Sequence, residues 1–79
     1  LHLSAQMRRS IAVAAGTQLL PGTRVRWTSQ GHVGEVQDLS LNFDGHELTL
    51  DGVFVHWDDP LIEADSFCAD ELHMLEILP

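Results

Sequence analysis

Gly52-Val53-Phe54-Val55-His56-Trp57-Asp58-Asp59 decides the fold. Val53, Val55 and Trp57 fall on one face of an extended chain, and Phe54, His56 and Asp58 on the other. That alternation is the signature of a half-buried strand. Asp51-Gly52 before it reads as a turn, and Pro60 after it ends the strand or holds it at a sheet edge. Upstream, Leu20-Pro21-Gly22 is a turn signal. It opens a segment in which Val25 and Trp27 alternate with Arg24, Arg26 and Thr28. Gly31-His32-Val33-Gly34-Glu35-Val36 begins the next strand. The apolar positions Val33, Val36 and Leu39 do not keep a period of two there, which predicts a bulge near Gly34. Leu41, Phe43, Leu48 and Leu50 continue the alternation across a tight turn at Asp44-Gly45. Downstream, the pattern predicts a further strand over 61–67, one helical turn at Ala69-Asp70-Glu71-Leu72, and a last short strand over 73–78.

Before this β-rich part, Leu3, Met7, Ile11, Ala14 and Ala15 recur at helical spacing, with Gly16 placed as a C-terminal cap. The expected organisation is an N-terminal amphipathic helix and linker over 1–18, the helix spanning about 3–15, followed by a β-barrel over 19–79. Short strands with turn signals every eight to twelve residues predict a sandwich or barrel. At this length a barrel that removes its own edges is the economical solution.

Seventy-nine residues make one domain. Such a chain buries only about 60% of its unfolded surface and is marginally stable. Cys68 is the only cysteine, so no disulfide closes within the chain and a reducing, cytoplasmic setting is expected. In an apolar, strand-rich stretch Cys68 reads as a small buried hydrophobe, and its acidic surroundings do not activate a thiol. No apolar run has the length of a membrane span. Ile11–Ala15 after Arg8-Arg9 is too short for a secretory leader, and no cleavage-site pattern follows it. Opening on Leu1 is expected of a piece trimmed from a longer chain.

The net charge is −8, and it is unevenly distributed: the four basic residues are Arg8, Arg9, Arg24 and Arg26, while all twelve acids lie from Glu35 onward. This keeps a small domain soluble, and it also suits a cationic partner or head-to-tail self-association. Phosphate-backbone binding needs clustered Lys and Arg, so the balance argues against nucleic acid.

The glycine-led first strand, Gly-x-x-Gly-x-Val over 31–36, Val-x-Val-x-Trp-Asp over 53–58 and Glu71-Leu72 together resemble the SH3-like small barrels over about residues 20–78. Among these are the KOW and Tudor-like modules, the hemimethylated-DNA-binding and heat-shock Q proteins, and the type II plasmid dihydrofolate reductases. The resemblance implies a mainly β fold, a five-stranded SH3-like barrel preceded by one α-helix. The departures bear on function. KOW and hemimethylated-DNA-binding modules imply basic surfaces, and this chain is acidic. Tudor-like readers of methylated cations imply an aromatic cage; here Tyr is absent, and Trp27 and Trp57 stand on apolar strand faces. The plasmid reductases imply a tetrameric pore carrying a Val-Gln-Ile-Tyr stretch, where this chain has Ala64-Asp65-Ser66-Phe67-Cys68.

Trp57-Asp58-Asp59 can form a ligand rim, an aromatic face beside two carboxylates that suits a cation; otherwise Trp57 is core and the aspartates solvate a turn. Phe54 and His56 form an apolar contact patch unless the N-terminal helix covers them. The five histidines are scattered, and His56-x-Asp58 is too sparse for a zinc centre of three or four ligands. No phosphate loop, nucleophile elbow or Cys/His pattern supports catalysis. The expectation is therefore a non-enzymatic interaction module without metal or cofactor. It would bind a cationic protein partner through Phe54, His56, Asp58, Asp59, Glu63 and Asp65, with Asp70 and Glu71 nearby. The alternatives are an oligomeric small-barrel enzyme and weak nucleic-acid binding through an end where the four arginines converge.

Overall fold

A computed structural model describes residues 19–79, together with Ser4 and Gln6. The expected helix over 3–15 lies outside the described residues, apart from those two. Five strands follow one another: β1 (Arg24–Trp27), β2 (Val33–Phe43), β3 (Leu48–Trp57), β4 (Asp65–Cys68) and β5 (Leu75–Ile77), with a 3₁₀ helix over Ala69–Met74 between β4 and β5. All pairings are antiparallel, and the order β4-β3-β2-β1-β5 forms one curled, half-barrel sheet. The expected mainly β architecture is present.

Two differences from the sequence reading explain the curl. The β2–β3 ladder slips between Val36 and Asp38, and again between Ser40 and Leu41. The first slip makes Gln37 an extra residue on β2. It lets Val36 and Leu39, three positions apart, both turn inward, so the bulge lies at Gln37 and not at Gly34. The second makes Asp51 an extra residue on β3, opposite the Ser40–Leu41 step. Asp51-Gly52 is therefore a bulge inside one continuous strand, not a turn. Bulges bend and twist the strand that carries them, which rolls a flat ladder toward a barrel.

Gly34 and Gly52 are required by close approach. A Cβ on Gly34 would lie 2.3 Å from the His56 carbonyl oxygen, and one on Gly52 would lie 2.2 Å from that of Phe67. At these points backbone presses on backbone and no side chain fits.

The inner face carries the core: Leu19, Val25, Val36, Leu39, Val53, Val55, Trp57, Phe67 and Leu75 are buried, and no buried residue among those described is polar. Each large apolar side chain stabilises by about 1.5–3 kcal/mol on burial. Trp57 lies at the centre. Its ring stacks on Trp27 at 5.9 Å and 16°, and Phe67 meets the Trp27 ring edge-on at 5.1 Å. The Trp57 indole N–H donates to Asp65 Oδ2 at 2.7 Å, so the buried ring keeps its one polar group satisfied.

Candidate functional site

The strand register places the expected binding residues on different surfaces. On β3, Gly52, Phe54 and His56 face outward, opposite the inward Val53, Val55 and Trp57, and Asp58 follows just beyond the strand. Phe54 stands between Asp38 of β2 and Ser66 of β4 and is 44% exposed. His56 is exposed beside Glu35 of β2. Asp58 does not form a rim with Trp57, which is buried. It is held by the Arg24 guanidinium, with Arg24 Nη1 donating to Asp58 Oδ1 at 2.8 Å and Nη2 to Oδ2. The Arg24 hydrogen bond, with its charge and that of His56, keeps the Asp58 carboxyl below the usual aspartate range, against a smaller desolvation effect. Asp59 accepts the Leu61 N–H at 2.9 Å and shapes the turn after β3. Glu63 is exposed in the same connection. Asp65 pairs with Val55 on the inward side of β4, where it serves the Trp57 indole. Phe54, His56 and Asp58 thus share one side of the sheet, Asp59 and Glu63 belong to the loop, and Asp65 supports the core.

Of the arginines, Arg24 binds Asp58, and Arg26 Nη1 lies 3.3 Å from Glu76 Oε1 across the β1–β5 pair. Both described guanidinium groups are therefore paired with carboxylates, and Arg8 and Arg9 lie outside the described residues. Exposed pairs of this kind contribute little to stability.

The same surface holds a shallow cleft of about 100 Å³, lined by Ser40, Asp51, Gly52, Phe54, Ser66 and Cys68, with Val53 and Phe67. It arises from two features already described. Gly52 leaves a gap in the cross-strand row Ser40–Gly52–Cys68, and Phe54 walls one side of that gap. Cys68 departs from its expected burial: Phe67 takes the inward position on β4 and turns Cys68 to the exposed face. There the Glu71 carboxylate accepts the Cys68 backbone N–H at 2.9 Å. The ligand atoms of Cys68, Asp70 and Glu71 lie within 4.8 Å of one another. A hydrogen bond to Glu71 and the charge of Glu71 push the thiol up from its ordinary value; burial, Asp70 and Asp51 add to the shift. Glu71 is held low by the Cys68 backbone N–H. The result is a negative field around a protonated thiol, the opposite of what activates a nucleophilic cysteine.

Sequence reasoning missed Ser40, Asp51, Ser66 and Cys68. Asp51-Gly52 was the available signal. Taken as a turn it implied nothing; as a bulge it opens the gap and puts a carboxylate beside it.

No protein-family model, curated protein or solved structure matches the chain. Among the described residues no helix is long and apolar enough to cross a membrane.

Proposed function

We propose that this chain is a small acidic interaction module on an SH3-like barrel frame, and that it binds a protein partner with a cationic surface. The observation that carries the reading is exposed Phe54 on the outer face of β3, standing between Asp38 and Ser66 in the ladder and lining one cleft with Asp51. An exposed aromatic among carboxylates gains little from water, and it suits an alkyl-ammonium or guanidinium group that meets both the ring and the charge. The finer fold assignment is supported by five antiparallel strands, two curl-inducing bulges and a 3₁₀ helix before the last strand. A free, exposed Cys68 is in keeping with a reducing, cytoplasmic setting.

Oligolysine is a suitable probe for a cationic partner. Fluorescence anisotropy of a labelled oligolysine peptide should show binding that weakens steeply from about 0.01 to about 1 M salt, as the screening length falls from about 30 to about 3 Å. An affinity that does not change across that range overturns electrostatic recognition.

A further inference from the structure

The cleft beside Gly52 has the wrong size for a cofactor and the right chemistry for a single side chain. Small-molecule sites run to about 300–1,000 Å³; this one is about 100 Å³. Its lining runs from apolar to polar. Phe54 and the Gly52 backbone supply the apolar side, and Ser40, Ser66 and Asp51 supply two hydroxyls and a carboxylate. Beyond Cys68 lie Asp70 and Glu71, so the polar side opens onto a concentration of negative charge, which the Cys68 thiol registers by its raised pKa. The arrangement is set by backbone features that other residues cannot reproduce. The β4 backbone passes too close for any side chain at position 52, and the bulge places Asp51 at the gap instead of opposite a neighbour in the ladder.

We infer that this cleft is a socket for one lysine or arginine side chain of the partner, its alkyl stem lying across Phe54 and its cationic head meeting Asp51. The inference rests on the cationic-partner reading above and adds where the recognised charge goes. Long basic side chains keep an apolar stem and a charged tip, and the cleft offers a surface for each. Ser40 and Ser66 accept hydrogen bonds that the cation donates, and the field of Asp70 and Glu71 draws it inward.

The test compares three variants of the full chain by oligolysine binding at low salt. D51N and E47Q each remove one negative charge, D51N at the cleft and E47Q at the exposed β2–β3 hairpin turn; F54A removes the ring. All three positions are exposed, and a matching thermal transition confirms that each variant is folded. D51N should weaken binding about tenfold, in keeping with loss of a charge-assisted hydrogen bond. F54A should weaken it several-fold, and E47Q should leave it close to wild type. Amide chemical shifts on titration should move at 51–54 and 66–68. Equal effects of D51N and E47Q, with shifts spread over all acidic residues, overturn the socket while leaving the cationic-partner reading in place. No oligolysine binding by the wild-type chain overturns both.

Discussion

At its body end the β2–β3 ladder is flanked by β1 and β4; at its far end it is flanked by neither. β1 pairs with β2 over residues 33–35, and β4 pairs with β3 over 52–55. Beyond these, Leu41 faces Leu50 and Phe43 faces Leu48 in a two-stranded ribbon. The same alternation of apolar residues runs through both ends, with different outcomes. Val36, Val53, Val55 and Trp57 are fully buried, whereas Leu41 and Leu50 are half-buried and Phe43 is 56% exposed. Periodicity therefore says which side of a strand is apolar, and the number of neighbouring strands says how deeply that side is buried. An isolated two-stranded hairpin is marginal in water, so the ribbon depends on the body for its order.

The sharpest way to break this contrast is at Trp57. Trp57→Ala removes the stacked ring and leaves Asp65 without its donor, a loss of about 3–5 kcal/mol. In a domain this small that approaches the whole folding free energy, which is about 0.05–0.15 kcal/mol per residue. Thermal or urea unfolding should show a chain largely unfolded at room temperature; a cooperative transition close to wild type would mean that the body is not organised around this ring.

Gly52→Ala should come next, at about 1–3 kcal/mol, because its methyl group would collide with the Phe67 carbonyl and push β4 off β3. Urea unfolding measures it, and a neutral outcome would mean that β4 is not pressed against β3 as described.

A smaller effect lies on the acid side. Asp58, Asp44 and Glu71 all have carboxyl groups held below their ordinary values, by Arg24, by the His46 and Glu47 backbone N–H groups, and by the Cys68 backbone N–H respectively. A depressed folded-state value adds stability that is fully present above the unfolded value and is lost as pH falls through the folded one. The unfolding midpoint should therefore decline as pH drops below about 4. Asp58→Asn should lower the midpoint slightly at neutral pH and flatten that decline. A curve parallel to wild type would mean that the Arg24–Asp58 pair contributes nothing.

The smallest effect is expected on the ribbon. Phe43→Ser should change stability by no more than about 0.5 kcal/mol, the usual range for exposed positions. A loss as large as that of Gly52→Ala would show that the ribbon's apolar side is covered in solution and would erase the contrast with the body.

Much of the frame was legible in the chain. Val53, Val55 and Trp57 declared their strand by strict alternation, the Leu20-Pro21-Gly22 and Asp44-Gly45 turns stand where the sequence puts them, and the segment after Cys68 makes its helical turn as 3₁₀. The two bulges were not legible in the right places, because a bulge belongs to the pairing of two strands and neither strand encodes it alone. The same limit applies to the site. Asp58 next to Asp59 suggested a rim, but its partner Arg24 lies thirty-four residues away and becomes visible only once β1 sits beside β2. Asp65 read as one more surface acid until the β3–β4 register turned it toward Trp57. Cys68 followed from Phe67: in an alternating strand only one of two neighbours can face the core, and the larger apolar ring takes that position.

The stacked pair Trp27 and Trp57 has an optical consequence. The chain holds two tryptophans and no tyrosine, so its intrinsic emission above the phenylalanine range comes wholly from these rings, 5.9 Å apart. Both belong to the body. Fluorescence will follow the melting of the body closely and will not register the ribbon, whose rearrangement on binding a partner would need a label of its own to be seen.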